Sequence, residues 1–358
     1  MIVTIDTNSR YTTRAGTTRY LEGLLRGLKQ HSDATLRIKE LAWPIDNFAY
    51  RQPQRSMKTA YRELIWPWLI ARPQLANSRT DIFHSPTGFF VSPPANIPHI
   101  VTLHDLAIFR HPERFRKWQR FSGRFRLRKL RHANHIIAIS QFTADEAIKL
   151  LGISAHMISI IHHGCDFSPD SPEQLPRGFA TPSSFFLFVG SLEPGKNLRL
   201  LRECYMMAEK EGCNLPPLVV VGARWQGVEF EGHWPKSWIQ AGRINDAELV
   251  YLYRRTIALL FPSKYEGFGF PPLEAMTLGC PVVCSISASL PEVVGSAALF
   301  SELTPPAFLH AMKCLLESAT RRIELIDAGR ERSAQFSWKK CAQETLSIYK
   351  TIINQKIS

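Results

Sequence analysis

Residues 257–285 constrain the fold more than any other stretch. Ile257 to Phe261 is a short apolar run suited to a buried strand. A turn-rich loop follows, with Gly267, Gly269, Pro271 and Pro272. Leu273 to Leu278 reads as the start of a helix, with Pro272 suited to its first turn and Gly279 as its stop. Pro281-Val282-Val283-Cys284 then reads as the next strand. Strand, glycine loop, helix and strand in this order form a parallel βαβ unit, which places the chain in the α/β class.

Two carboxylates mark the loop: Glu266 at the strand end, and Glu274 eight residues later in what reads as the first helical turn. The glycines between them let backbone N–H groups approach a ligand closely. A helix N-terminus attracts phosphate, whereas a carboxylate repels phosphate and accepts hydrogen bonds from sugar hydroxyls. The combination points to a nucleotide sugar. A plainer reading stays open, in which Glu274 complements the helix dipole and Glu266 is a solvated loop residue.

At 358 residues the chain can hold two domains, each with its own core, and 45% apolar with 21% charged residues is globular composition. Residues 1–167 read as a first α/β domain and 168–184, rich in Pro, Ser and Gly, as a linker. Residues 185–335 read as a second α/β domain and 336–358 as a terminal amphipathic helix. The opening Ile2–Ile5 strand ends at Asp6, and a loop through Arg14, Ala15 and Gly16 leads to a helix over Thr17 to Lys29. Ligands of open α/β sheets bind outside the carboxyl ends of strands, where Gly16 and Thr17 fall, although a tight turn also accounts for Gly16. The loop lacks G-x-G-x-x-G, which disfavours a dinucleotide. His104 and Asp105 end another strand, and Thr143 with Glu146 reads as a capping box. Residues 50–77 are less regular. Their Trp66-Pro67-Trp68 suits either an interface with lipid or a partner, or packing under a loop.

The second domain opens with a buried strand, Phe185–Val189, followed by Gly190-Ser-Leu-Glu-Pro-Gly195-Lys196-Asn197. This nearly matches a Walker A loop, but Asn197 stands where Ser or Thr would hold Mg²⁺. The strands ending at Val221 and Phe261 also lack a terminal Asp suited to Walker B. Gly242-Arg243-Ile244 precedes a helix that Asn245 caps.

The net charge is +13, and Phe109 to His132 holds ten Lys or Arg residues against one acid, Glu113. Such a concentration implies an anionic partner: nucleic acid, membrane surface or phosphorylated substrate. From Pro112 the pattern is helical, with Phe115, Trp118, Phe121 and Phe125 in one stripe. Two readings remain: burial in the domain core, or a helix lying on the inner leaflet with Arg116, Lys117, Trp118, Arg120, Phe121, Arg124 and Phe125 in contact with anionic lipid. Gly123 reads as a blemish that marks a kink. No recognised nucleic-acid module surrounds the stretch, so nucleic acid is the rival partner and not the expected one. No apolar run reaches the roughly 18 residues of a membrane span. The start lacks a signal-peptide pattern, and seven cysteines in no paired spacing suit a reducing compartment. A cytoplasmic protein, peripherally associated with the inner membrane, is expected.

Pro262-Ser263-x-Tyr265-Glu266-Gly267-Phe268-Gly269-x-Pro271-x-x-Glu274-Ala275-Met276 resembles the two-glutamate signature of retaining glycosyltransferases of family 4. Ser289-Leu290-Pro291-Glu292-Val293-Val294-Gly295 follows where that family has it, and Asp6, Gly16, Arg19 and Tyr20 fit its opening pattern. The resemblance covers nearly the whole chain. It implies the GT-B fold: two facing Rossmann-like domains of doubly wound parallel sheet with the active site in the cleft, and a terminal helix crossing back toward the first domain. The reaction it implies moves a sugar from a nucleotide diphosphate to an acceptor hydroxyl with retention. Lys196 would contact the diphosphate, aided by the amides around Gly269 and Phe270, with Gly267 and Phe268 also in the donor site. Glu274 would bind the ribose and Glu266 the transferred sugar. Gly242, Arg243 and Ile244 would line the donor site, Gly16, Thr17 and His104 would complete it, and His104 with Asp105 would face the acceptor. Relatives often carry Arg where this chain has Ser191 or Gly195. Arg224 and Arg243 are candidate substitutes, each equally readable as a solvated arginine. The Gly-x-Leu-Glu-Pro-x-Lys-Asn variant resembles bacterial mannosyltransferases of surface polysaccharide assembly. It implies GDP-mannose as donor and a saccharide or lipid-linked acceptor, with UDP- or dTDP-sugars as the alternative. No Asp-x-Asp occurs, so neither a bridging metal nor any other cofactor is expected.

Overall fold

The computed structural model describes residues 1–12, 16–31, 36–46, 54–88, 91–115, 117–223 and 234–357. The chain divides into two compact units, Met1–Gly164 with Ser337–Ser358, and Cys165–Phe336. Each is built on a six-stranded sheet in which every neighbouring pair is parallel. Parallel strands need crossover helices that cover both faces, so their sequences are apolar throughout. The central strands are buried along their whole length, as the bare apolar runs require.

In unit 1 the chain runs β1 (Ile2–Asp6), α1 (Ser9–Thr12), α2 (Gly16–His31), β2 (Arg37–Leu41), α3 (Gln54–Ala60), α4 (Arg72–Asn77), β3 (Ile82–Ser85) and β4 (His99–Leu103). It continues through α5 (Ala107–Arg110), α6 (Lys117–Arg128), β5 (His135–Ala138), α7 (Gln141–Leu151) and β6 (Ile158–Ile160). The strand order is β2-β1-β3-β4-β5-β6. In unit 2 come β7 (Phe186–Val189), α8 (Leu198–Lys210), β8 (Leu218–Val221), β9 (Trp238–Gly242), α9 (Asp246–Arg255), β10 (Leu259–Phe261) and α10 (Phe270–Thr277). Then follow β11 (Val282–Ser285), α11 (Leu290–Val294), β12 (Leu299–Ser301), α12 (Pro305–Glu317) and α13 (Ala319–Ser333), in strand order β12-β11-β10-β7-β8-β9. Phe186, Phe188, Leu260 and Val283 of this sheet pack with Leu201 and Cys204 of α8 and Phe308 and Met312 of α12. The last helix, α14 (Trp338–Ile357), belongs to unit 1.

Several segments differ from the reading of the sequence. Residues 54–77 are helical from end to end, with π turns over Tyr61–Ile65 and Pro67–Ala71 joining α3 to α4. The wider turn aligns Arg62, Trp66, Ala71 and Leu75 on one buried stripe, a spacing of four and five that an α-periodic search misses. Helix α7 starts before Thr143: Ser140 caps it by accepting from the Thr143 N–H at 3.1 Å. Glu146 is therefore one turn too deep to close a capping box, and instead takes a two-pronged bond from Arg110 at 2.7 and 2.5 Å. Residues 168–184 are fastened to unit 2. Arg254 donates to the carbonyls of Pro169 and Ser171 at 2.7 and 2.9 Å and pairs with Glu173. Proline and serine there prevent regular structure but leave carbonyls that an arginine fork can satisfy.

Helix α14 packs along α2, and the sequence of α2 shows how. A Cβ added at Gly27 would lie 2.6 Å from the Trp338 carbonyl oxygen and 2.8 Å from Ala342 Cβ, so only glycine permits this approach. Farther along, the buried Tyr349 hydroxyl hydrogen-bonds His84 Nδ1 at 2.6 Å, and His84 Nε2 meets Thr102 Oγ1 at 2.9 Å. The terminal helix is thus tied to the middle of the sheet through a buried histidine.

Gly27→Ala should destabilise unit 1 by about 1–3 kcal/mol through overpacking, lowering its thermal midpoint by several degrees in a calorimetric scan. An unchanged midpoint would mean that the close approach is not needed. Acid should also weaken unit 1. Burial above all lowers His84 and His99 from the ordinary 6.5 to about 3, and lowers His104 and His163 as well. The unfolded chain takes up protons that the folded chain refuses, so stability is lost as pH falls from about 6.5 toward 3. Asp6 acts oppositely, because burial pushes its carboxyl up to about 6, but it is one group against five, since burial lowers His135 too. Urea unfolding should show lower stability at pH 5 than at pH 7.5, and a flat or inverted profile would contradict the buried neutral histidines.

Candidate active site

The sheet of unit 2 reverses direction at its centre. From β7 the chain moves outward to β8 and β9, then returns to β10 on the other side of β7 and continues to β11 and β12. The loops leaving β7 and β10 therefore diverge, and the crevice at such a switch point is where open α/β sheets bind ligands. Both expected motifs lie there, Gly190–Asn197 after β7 and Pro262–Gly269 after β10. The Lys264 N–H donates to the Gly195 carbonyl at 2.8 Å, which joins the two loops. The Lys196 ammonium pairs with Glu266 Oε1, and Ser263 Oγ donates to the same oxygen at 2.6 Å. Lys196 Nζ also lies 5.4 Å from the Phe261 ring centroid. The two charged side chains are 16% and 12% exposed, so each depends on the other for what water no longer supplies. Glu266 is not a solvated loop residue.

Gly269 caps α10 with φ 111°, a left-handed conformation that side chains rarely adopt, and a Cβ there would meet Leu290 at 2.9 Å. Ser289 Oγ donates to the Phe268 carbonyl at 2.9 Å and holds the loop against α11. Glu274 is the fifth residue of α10, one turn deeper than the sequence suggested, and is 3% exposed. At that depth it does not serve the dipole of the first turn. It accepts a hydrogen bond from the buried Tyr253 hydroxyl at 3.1 Å. Burial first, and the nearby Glu274 charge second, push the Cys165 thiol up to about 12. The two glutamates thus occupy different environments: Glu266 is paired with an ammonium, and Glu274 is buried among a phenol and a thiol.

The Walker-like loop departs from a P-loop at its end. Asn197 is left-handed (φ 56°, ψ 39°), a conformation that asparagine tolerates and a β-branched threonine resists. Gly242 ends β9 and Arg243 and Ile244 follow it at the sheet edge, separated from β7 by β8, and Arg243 is exposed. The Gly242 carbonyl accepts from the Gly222 N–H at 2.8 Å, one strand away from the Lys196 loop. Arg224, Arg14 and Ala15 lie outside the described residues.

Unit 1 has its own switch point between β1 and β3. Gly16 and Thr17 open α2 on the chain leaving β1. Asp6 Oδ1 accepts from both the backbone and the side chain of Asn8 at 2.9 Å, fixing the turn after β1. His104, after β4, reaches the Pro86 carbonyl at 2.7 Å through Nε2. A carbonyl only accepts, so Nε2 carries the proton and Nδ1 presents a lone pair. Burial lowers the His104 pKa, keeping it neutral near pH 7. Tyr20 meets its ring edge-on at 5.0 Å, and His163 stacks on it at 5.5 Å. Asp105 is exposed and accepts the Ala107 N–H at 2.9 Å at the start of α5.

The basic stretch forms α6. Lys117, Trp118, Phe121 and Phe125 are exposed, so the aromatic stripe lies outside the core of its domain. Arg120 is instead turned back on the Phe115 carbonyl at 2.8 Å, Arg124 lies over the Phe109 ring, and Arg116 lies outside the described residues. Helix α6 runs unbroken through Gly123, where a Cβ would come 2.3 Å from Ile108: the glycine marks a close approach in place of the expected kink. Among the described residues no cluster of three or more His, Cys, Asp or Glu could hold a metal, and no helix is long and apolar enough to cross a membrane. Sequence reasoning missed Tyr253, Pro86 and the bonding roles of Ser263 and Ser289. The two serines lie within the glycosyltransferase-like motifs, and Pro86 ends a stretch from Asp81 that reads as a strand.

Residues 15–168 match the family described as Glycosyltransferase Family 4, and residues 173–332 match Glycosyl transferases group 1. The chain is 33% identical over 300 residues to O-antigen chain mannosyltransferase B of Escherichia coli, covering 78% of this chain and 76% of that protein. It is 30% identical over 278 residues to the serotype-specific mannosyltransferase WbdA of Escherichia coli, covering 71% of this chain but 34% of that longer protein. Sucrose-phosphate synthase from Thermosynechococcus elongatus superposes with a TM-score of 0.72 at 16% identity over 99% of this chain and 100% of that one. HepE from Anabaena, in complex with UDP, superposes with a TM-score of 0.70 at 17% identity over 98% and 99% of the two chains. Matched in sequence along most of a curated relative, and in fold along nearly all of its own length, this chain belongs to the family 4 glycosyltransferases with the GT-B fold.

Proposed function

We propose that the protein is a retaining mannosyltransferase that uses GDP-mannose and extends a saccharide or lipid-linked saccharide of O-antigen type at the cytoplasmic face of the inner membrane. The Lys196–Glu266 pair at the switch point of unit 2 carries the mechanistic reading. An arriving diphosphate competes for the lysine: it takes up the ammonium and leaves Glu266 to accept hydrogen bonds from the transferred sugar. The N-terminus of α10 at Gly269 and Phe270 offers a second positive end to the same diphosphate. As the sugar departs, negative charge grows on the leaving diphosphate, and Lys196 stabilises it electrostatically. Glu274, one turn into α10, is assigned to the ribose, which suits a buried carboxylate that already accepts from Tyr253. His104 Nδ1 can accept from a sugar hydroxyl, with Asp105 assigned to the acceptor. The mannosyl donor and the O-antigen setting rest on the similarity to the two Escherichia coli mannosyltransferases.

Glu274→Ala should weaken binding of free GDP, because ribose contacts exist without the sugar. Glu266→Ala should leave GDP affinity near normal and lower transfer. Each lost charged hydrogen bond corresponds to roughly 1.5–3 kcal/mol, which titration calorimetry resolves. Lys196→Ala should impair GDP binding more than guanosine binding. Wild-type GDP affinity in Glu274→Ala would remove the ribose assignment, and an equal effect of Lys196→Ala on GDP and guanosine would remove its phosphate role. Transfer is proposed to need no metal, since no Asp-x-Asp occurs and the lysine supplies the positive charge. Turnover should persist in excess EDTA, and a loss restored by Mn²⁺ or Mg²⁺ would sink this part of the reading.

A further inference from the structure

Nine of the fifteen exposed large apolar side chains among the described residues fall on only two segments, the α3–α4 run and α6. On the first, burial of Trp66, Ala71 and Leu75 against Leu41 and Phe83 leaves Leu64, Trp68 and Leu69 facing outward. On the second, packing of Gly123 against Ile108 turns Trp118, Phe121 and Phe125 outward. Two contacts fix the segments side by side. Arg126 pairs with Glu63 at 2.6 Å, and the Lys129 ammonium sits between two rings, 5.4 Å from Trp68 and 4.7 Å from Phe125. The apolar faces therefore meet at Trp68 and Phe125. An apolar area of this kind with a charged rim marks an interaction surface.

The rim is cationic. Lys117 and Arg128 are exposed on α6, and exposed Arg72 lies 5.7 Å from the Trp68 ring. In sequence, Phe109 to His132 holds ten bases against one acid, and of these Arg110 and Arg126 are paired with Glu146 and Glu63. Two copies pressed together by this face would bring like charges into contact. Aromatic bodies with ammonium groups at their margin instead match a boundary with hydrocarbon on one side and phosphate on the other.

We propose that these two segments form one membrane-docking face. Leu64, Trp68 and Leu69 enter the headgroup layer together with the rings of α6, and Lys117, Arg128 and Arg72 meet the phosphates of an anionic leaflet. This extends the membrane setting proposed above from one helix to two. The test uses no donor and no turnover, so it fails or succeeds independently of the assignment of sugar transfer.

The full chain is sedimented with phosphatidylglycerol vesicles and with phosphatidylcholine vesicles at two salt concentrations. Binding should require phosphatidylglycerol and fall with salt. Leu64→Ser/Leu69→Ser should weaken it by roughly tenfold or more, because two exposed leucines no longer leave water. Lys117→Ser/Arg128→Ser should weaken it by roughly tenfold at low salt. Ile323→Ser, an exposed apolar site in unit 2, should change nothing. Independently of any surface loss in the variants, lipids brominated in the acyl chain should quench wild-type tryptophan fluorescence, and Trp68→Phe should reduce that quenching. The proposal is overturned if wild type ignores phosphatidylglycerol, if the double leucine variant binds like wild type, or if quenching is absent. It is equally overturned if the same variants abolish a concentration-dependent dimer in the absence of lipid.

Discussion

The Lys196–Glu266 ion pair is the contact on which the candidate site depends. Each partner comes from a loop leaving one of two adjacent parallel strands, β7 and β10, at the place where the sheet reverses its winding. Neither loop could hold its charge alone in a position so little exposed. With Ser263 on the same carboxylate oxygen and Lys264 bonded to Gly195, the pair fixes the spacing of the two motifs before any ligand arrives. Pairing also stores the lysine in a form that only a stronger anion displaces, which is what a diphosphate is.

Unit 1 solves a different problem. Its sheet buries His84 and His99 and carries His104 and His163 near its carboxyl ends, all held neutral by desolvation. Neutral imidazoles can be buried at modest cost only if their nitrogens are bonded, and here the partners include Tyr349 of the terminal helix, Thr102 and the Pro86 carbonyl. The helix reaches them because α2 presents glycine where Trp338 crosses. The chemistry available to His104, an acceptor nitrogen in a fixed tautomer, follows from its bond to the Pro86 carbonyl, whereas the terminal helix acts on His84.

Much of this was legible in the sequence. The βαβ rhythm, the two glutamates, the lysine loop and the Asn245 cap all follow from local rules: apolar runs, glycine, proline and short polar caps. The capping box of Asn245 and Glu248 has both of its bonds. What escaped the sequence was non-local or non-standard in period. Residues 54–77 looked irregular because π turns shift the buried stripe to a four-and-five spacing. Tyr253 could not be paired with Glu274 from sequence, since 21 residues separate them and only the α9–β10–α10 crossover brings them together. Whether the aromatic stripe of α6 faced core or solvent depended on Gly123 and Ile108, a contact with no periodic signature.

The central claim is transfer of mannose from GDP-mannose with retention through the Lys196 and Glu266 site. The most direct measurement is nuclear magnetic resonance of the product formed by wild type from GDP-mannose and a lipid-tailed mannoside such as octyl α-mannoside. The account predicts release of GDP and a new α-mannosidic linkage, the configuration of the donor. A β-linkage, or transfer from UDP- or dTDP-sugars but not from GDP-mannose, would contradict it.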